Sequence, residues 1–544
     1  MIPTADSRQP AFARPRPPAP PPPAPPAPFR RRHRVPLIAT AAVLPLYALW
    51  WAFLATGGGD LAAQESWAGF VARYGGSAYN LSWFGGTHTV NYSVLSPYVM
   101  AAFGVNAVSV VSGLAASWLT ALLLVRSGVR RPMGPALLAS VMLWFDVAAG
   151  RTTFALGVAL GLAACVLLTG GRRVVLAAVC AASATLASPV AGLFLAVVGA
   201  GFLAVRHWRP ALALLAPPAA VVATTTLVFP YSGQQPMPFA RLVMPVLLGL
   251  TVTALAPRTW RVARWAGAVY AVGAVLVYLV PSPIGTNVER LAWVFAAPVL
   301  LAALSATPRA ARWRRGVLVV ALVAAVGWVA PKMVVDRLGG DPVPAWAADT
   351  RGVVRALKEF GADRTRVEAV PAIDHRDAAV LAPYVNLARG FNTQLDMERG
   401  RLFYDGAFSP ARYRAWLDHW AVGLVALPAT EPDRYGRDEA RLVRDHTPRW
   451  LEPVWHDAHW RIYRVRDAVP LVSPPATVTR TTGAEWYVHM PRPGTTTLRI
   501  AYSPWLRADG ACLSRDGEFT RLTATVPGEY RIGSEYGRSS GSGC

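Results

Sequence analysis

The reading of two neighbouring stretches decides the fold: W-W-A-F-L-A-T-G-G-G-D-L-A-A-Q-E-S-W-A-G-F at 50–70 and A-Y-N-L-S-W-F-G-G-T-H-T-V-N-Y-S-V-L-S-P-Y at 78–98. An apolar span ends near Thr56, and three glycines then let the backbone bend sharply. Asp60 follows, with Gln64 and Glu65 one helical turn further on. A long segment rich in Trp, Tyr and Asn continues to about Phe103. Aromatics gather at membrane interfaces, so a hydrated connecting loop accounts for them. Ionisable groups at membrane depth tend to be functional, and the rest of the chain decides between the two readings.

Composition places the chain in a membrane. Of 544 residues, 53% are hydrophobic and only 16% charged, with a mean hydropathy of +0.32. These values fit a polytopic membrane protein. The net charge of +23 resembles a nucleic-acid signal, yet Lys332 and Lys358 are the only lysines and the arginines fall largely between apolar spans. No basic stripe interleaved with aromatics is present, so no nucleic-acid partner is expected. Cys165 and Cys180 lie in apolar spans and read as small core residues. Cys512 and Cys544 lie in the polar C-terminal tail, and an extracytoplasmic tail makes them a candidate disulfide.

Residues 1–35 form a Pro-rich tail ending in R-R-R-H-R at 30–34, and its composition cannot bury a core. Eleven apolar stretches follow within 36–331: 36–56, 105–125, 133–149, 152–169, 174–188, 190–205, 211–229, 241–256, 266–280, 291–306 and 317–331. With the N-terminus inside, the inner connections carry Arg126, Arg130 and Arg131; Arg172 and Arg173; Arg206 and Arg209; Arg258, Arg261 and Arg264; Arg309, Arg312, Arg314 and Arg315. The outer ones carry only Arg73, Arg151, Arg241 and Arg290. That asymmetry follows the positive-inside rule. The expected fold class is an α-helical polytopic membrane protein with about eleven transmembrane helices, N-in and C-out, and a large first outer loop at 57–104.

From 332 the chain turns polar. Strand-like runs at Arg366–Val370, Gly423–Leu427 and Trp460–Val465 alternate with helix-like runs at 349–360, 409–420 and 436–446, which predicts an extracytoplasmic α/β subdomain over 332–470. No glycine-rich phosphate loop accompanies it. Alternating runs after Pro470 predict a β-sandwich-like subdomain over 471–544. In W-H-D-A-H-W at 455–460, His456 and His459 would point to opposite faces of a strand, which favours a surface turn over a metal site.

Nearly every ionisable group at the outer membrane plane belongs to three loops. The first contributes Asp60, Glu65, Tyr79, Asn80, Trp83, His88, Asn91 and Tyr92; the second Asp146 and Arg151, in W-F-D-V-A-A-G-R-T-T-F; the third Asn287, Glu289 and Arg290, in P-S-P-I-G-T-N-V-E-R-L. A carboxylate can take the proton of an acceptor hydroxyl. Arginine can hold a phosphate leaving group with its planar fork of donors. Taken singly, each arginine is equally an interfacial snorkelling residue, and Asp146 equally a partner of Arg151.

In this arrangement the chain resembles the GT-C superfamily of integral-membrane glycosyltransferases. The shared features are an inside N-terminus, an acidic residue just past the first helix in a long outer loop, a second acidic residue in the next outer turn, and an extracytoplasmic C-terminal region. Members use polyprenyl-phosphate-linked sugars and include protein O-mannosyltransferases, arabinofuranosyltransferases and the lipid A aminoarabinose transferase. The resemblance covers 36–331 and, more loosely, the tail. Many members carry two adjacent acidic residues in the first loop, whereas here Asp60 is followed by Leu61 and Glu65 comes five residues on. Asp60 and Glu65 therefore both stand as candidate bases.

The resemblance implies a plasma-membrane enzyme that moves a sugar, with inversion, from a polyprenyl-phosphate donor to a glycan, lipid or protein acceptor on the outer face. Asp60 would be the base with Glu65 or Asp146 in support, Arg151 and Arg290 would hold the donor phosphate, and Tyr79, Asn80, Trp83, His88, Tyr92 and Asn287 would contact substrate. No cofactor is required, and a divalent cation is compatible with the carboxylates. Two other classes compete: a major-facilitator-like transporter, against which stand one-sided polar groups and no visible repeat of two halves, and a non-enzymatic envelope scaffold.

Overall fold

Inside hydrocarbon each backbone N–H and C=O must bond within its own segment, so long apolar stretches fold as helices. A computed structural model describes residues 33–90, 92–171, 173–230, 233–335 and 342–537. The Pro-rich stretch of the tail lies outside the described residues. The described residues from 35 onward form one compact unit.

Helix α1 is Arg34–Leu49, prolonged by a π-helical turn at Trp50–Leu54. The segment read as the first outer loop is itself built of elements: α2 (Asp60–Tyr74), the short ribbon β1 (Tyr79–Asn80) with β2 (Thr87–His88), and α3 (Ser96–Phe103). Apolar helices follow as α4 (Val105–Arg126), α5 (Met133–Ala148), α6 (Thr152–Leu168), α7 (Val174–Ala187), α8 (Pro189–Ala204), α9 (Trp208–Val228), α10 (Phe239–Leu255), α11 (Arg261–Leu279), α12 (Glu289–Ala306) and α13 (Arg312–Val335). Among the described residues six segments are long and apolar enough to cross a membrane: Arg34–Leu54, α4, α9, α11, Gly285–Ala306 and Arg312–Pro331. Helices α5, α6, α7, α8 and α10 are apolar but shorter.

Small residues let these helices approach closely, as lipid-embedded packing requires. A Cβ on Gly249 would meet the Gly267 carbonyl oxygen at 2.8 Å, and one on Gly267 would meet that of Gly249 at 2.7 Å. The backbones of α10 and α11 thus touch where neither carries a side chain.

Beyond the helices lies an α/β layer made of α14 (Ala345–Ala348), α15 (Arg351–Glu359), β3 (Arg366–Ala369), α16 (Arg376–Leu381), α17 (Thr393–Arg399), α18 (Pro410–His419), β4 (Val422–Pro428), α19 (Arg437–Asp445), β5 (Leu451–His456) and β6 (Trp460–Val465). Strand order is β3–β4–β6–β5, with β3 parallel to β4 and the other pairs antiparallel. Every residue of β3 and β4 is buried, as expected of strands covered on both faces. Arg389 sits buried between Glu368 on β3 and Glu439 on α19, its guanidinium 3.8 Å from the Phe403 ring centre. Edge strand β5 was not anticipated from the sequence, because Pro453 reads as a strand breaker; proline is tolerated at an edge.

Strands β7 (Thr477–Thr481), β8 (Trp486–Met490), β9 (Gly494–Ala501), β10 (Leu506–Ala508), β11 (Cys512–Asp516), β12 (Phe519–Ala524) and β13 (Gly528–Ser534) form two antiparallel sheets, ordered β10–β13–β8–β7 and β11–β12–β9. Their core of Trp486, Val488, Leu498, Leu522 and Ile532 also takes in Tyr79 and Leu81. The neighbouring Trp83 and Phe84 belong to the α/β core, with Val367, Leu387 and Leu424. Residues 79–84 are therefore threaded between the two C-terminal layers.

Candidate active site

Asp60 is the first residue of α2, preceded by Gly57 at φ +77° and Gly59 at φ +62°. These left-handed conformations strain any L side chain, so the three glycines make the turn. Its carboxylate at a helix N-terminus meets the positive end of the dipole. The α5–α6 junction abuts this turn, because a Cβ on Gly150 (φ +78°) would lie 2.6 Å from the Leu61 amide nitrogen. Next in sequence, Arg151 reaches both carboxylates: Nε lies 3.4 Å from Asp60 Oδ2, and Nη1 3.5 Å from Asp146 Oδ1. Both contacts are long for charged hydrogen bonds. The Asp60 side chain keeps 35% of its surface exposed, against 5% for Asp146.

Two faces with a spacing of three residues lock this cluster to α12. The Arg151 guanidinium lies 4.9 Å from the Trp293 ring centre, and that of Arg290 lies 5.4 Å from the Phe154 ring centre. Arg151 directly precedes α6, which carries Phe154 in its first turn, and residues 290 and 293 share one face of α12. The fold thus gathers Asp60, Asp146, Arg151 and Arg290. Among the described residues no ion pair holds Arg290.

Glu65 is not in this group. Its carboxylate packs on the glycine turn, where a Cβ on Gly57 would meet Oε2 at 2.8 Å. Burial raises its pKa, with Arg376 pulling the other way. Asn287 donates to Gln235 Oε1 at 3.0 Å, and the buried Glu289 pairs with Arg241 at 3.1 Å. Among the described residues no group of three or more His, Cys, Asp or Glu side chains converges as a metal site.

Asn80, Trp83, His88 and Tyr92 do come together. With Trp67 and Asn392 they line a small recess. Trp67 stacks on Tyr92 with ring centres 5.5 Å apart. Asn80 Oδ1 accepts from the Ser82 amide at 2.9 Å and from its hydroxyl at 2.8 Å, which fixes the amide plane. Burial, and then Arg399, lower the His88 pKa to about 4, so the imidazole is neutral at pH 7. Trp67 follows Asp60 by seven residues on α2, about 10 Å along the axis.

Tyr79 differs from its expected role. It is buried, donates its hydroxyl to Ala501 O at 2.7 Å, and its pKa is pushed up to about 12 by burial. It anchors the outer segment to β9, so its ring does not face the recess. Arg151, expected at a phosphate, is engaged by two carboxylates. Cys512 opens β11, while Cys544, its expected partner, lies outside the described residues, as does Asn91. Sequence reasoning missed Trp67, Trp293 and Arg376. Trp67 was visible as an aromatic seven residues past Asp60; nothing in the sequence marked the others.

A family model described as a domain of unknown function, DUF8823, matches residues 473–513. No curated protein matches the sequence. Similar solved structures include the arabinofuranosyltransferase AftD from Mycobacteria, at 15% identity and a TM-score of 0.42, over 85% of this chain and 43% of that one. The Archaeoglobus fulgidus oligosaccharyltransferase aligns at 10% identity and a TM-score of 0.42, over 74% of this chain and 69% of that one. ArnT from Cupriavidus metallidurans aligns at 15% identity and a TM-score of 0.40, over 78% of this chain and 97% of that one. These structural neighbours are GT-C glycosyltransferases. The chain spans less than half the length of the arabinofuranosyltransferase.

Proposed function

We propose that this protein is an integral-membrane glycosyltransferase that moves a sugar from a polyprenyl-phosphate donor to an envelope acceptor on the outer face of the plasma membrane. The observation that carries the reading is the cluster of Asp60, Asp146, Arg151 and Arg290, which joins a partly exposed carboxylate to cations at the ends of apolar helices. In the proposed topology eleven helices span the bilayer with the N-terminus inside, and the residues after α13 are extracytoplasmic; the arginine asymmetry supports it.

In the reaction the acceptor oxygen forms a bond to the anomeric carbon as the bond from that carbon to the phosphate oxygen breaks. The phosphate leaves with the electron pair, and Asp60 takes the hydroxyl proton. Attack opposite the leaving group inverts the anomeric centre. Arg290, which no ion pair holds among the described residues, neutralises the departing phosphate. Arg151 bridges Asp60 and Asp146 and so orients the base. The recess beside Trp67 and Tyr92 accepts the sugar face of the acceptor, with aromatic rings and a fixed amide as its recognition groups. A divalent cation, if one takes part, would have Asp60 and Asp146 as ligands, in competition with Arg151.

The test is glycan and glycolipid profiling of the envelope in a deletion strain, complemented with wild type or Asp60→Asn. A component lost on deletion should return with wild type and stay absent with Asp60→Asn. An unaltered envelope profile after deletion would overturn the reading and favour a scaffold, and full rescue by Asp60→Asn would remove Asp60 as the base.

A further inference from the structure

We propose that Arg376 and Asp374, on the loop entering α16, are positioning residues for Asp60, so that the α/β layer sets the geometry of the membrane site; the inference rests on Asp60 being the base. A turn of three consecutive glycines has many conformations to lose, and by itself it does not hold a carboxylate in one place. On one side the turn leans on Gly150 and Arg151. On the other it is gripped from a point 320 positions away in sequence.

The grip has two jaws. Arg376 donates from Nε and Nη2 to Thr56 O at 3.2 and 2.9 Å, and from Nη2 to Thr56 Oγ1 at 2.8 Å. Its Nη1 donates to Asp374 Oδ2, while the Asp374 carbonyl accepts from the Gly59 amide at 2.8 Å. Residues 56 and 59 are therefore pinned at both ends of the glycine run, directly before Asp60. Both side chains are buried. The loop that carries them is itself fixed: Asp377 Oδ1 accepts from the Ala372 amide at 2.8 Å, and His375, at φ +55°, stacks on Phe391 with ring centres 3.9 Å apart. The carboxylate of Glu65 closes the underside against Gly57. A lysine cannot reproduce the guanidinium fork that spans Thr56 and Asp374.

The test uses the full chain in nanodiscs, comparing Arg376→Ala, Arg376→Lys and Thr56→Ala with wild type and with Arg412→Ala, an exposed ion-pair control. Hydrogen exchange is read first. Peptides covering 56–62 should exchange about tenfold faster in the Arg376 variants, less so in Thr56→Ala, with protection of α4 and α6 unchanged. Unchanged exchange at 56–62 overturns the clamp whatever the protein catalyses.

Transfer is then measured with farnesyl-phosphoryl mannose and farnesyl-phosphoryl arabinofuranose as donors and total envelope extract as acceptor. Arg376→Lys should lower kcat about 10²-fold, as a misplaced catalytic group does, with the donor KM within about twofold. In an Asp60→Asn background it should cost nothing further, because both changes remove one function. Multiplying losses in the double variant would show an ordinary structural role and overturn the inference. Wild-type transfer by Asp60→Asn alone would instead remove Asp60 as the base, and with it the catalytic meaning of the clamp, while faster exchange would still establish the clamp as a structural contact.

Discussion

At the scale of single residues, the site separates a carboxylate from the cation suited to phosphate. Asp60→Asn keeps shape and removes basicity, so purified protein should lose roughly 10²–10⁴-fold in transfer rate while folding and inserting normally. If that variant transfers at the wild-type rate while Glu65→Gln is dead, the base is Glu65. Arg290→Gln should chiefly raise the donor KM and slow departure of the phosphate, whereas Arg151→Gln should mimic loss of Asp60 through misorientation. Equal kinetics for all three variants would show that the cluster has no part in the chemistry. The sequence already pointed to Asp60, Asp146, Arg151 and Arg290 as members of outer loops. What it lacked was the division of labour: both arginines rest on aromatic faces, but only Arg151 of the two also lies between two carboxylates.

At the scale of elements, the start of α16 carries a buried carboxyl that makes the α/β layer sensitive to pH. Burial raises the Asp377 carboxyl to about 7, with the Ala372 amide opposing that shift. The folded protein therefore holds this proton more tightly than the unfolded chain, and stability falls as pH rises from about 4 to about 7, levelling off above. The swing is up to about 4 kcal/mol for a shift of about three units. Asp377→Asn should be nearly neutral near pH 4 and stabilising at pH 8, read as the difference in Tm between the two; the same Tm change at both pH values would contradict it. Most elements were legible from periodicity, because β3, β4 and β6 are unbroken apolar or alternating runs. The edge strand β5 was hidden by Pro453, and α2 by the polarity of a segment that reads as loop.

At the scale of the whole molecule, the proposed topology places everything after α13 outside the cytoplasm. Alkaline phosphatase fused after Pro344 should be active, and activity only from a cytoplasmic reporter at that point would invert the topology and remove the outer-face reaction. The sandwich reaches the helices through Trp505, whose ring stacks on Phe229 at 5.2 Å and whose Nε1 donates to Val228 O at 2.9 Å. Apolar length and strand alternation are local properties, and from sequence alone they determined most of the helices and strands, though not α2 or β5. The threading of Tyr79 and Trp83 into two different cores, the four-residue cluster around Arg151 and the grip of Arg376 on Thr56 were decided only by tertiary structure. Each joins residues far apart in the chain through side-chain geometry, and no local pattern records which distant partner a buried ring or a guanidinium will meet.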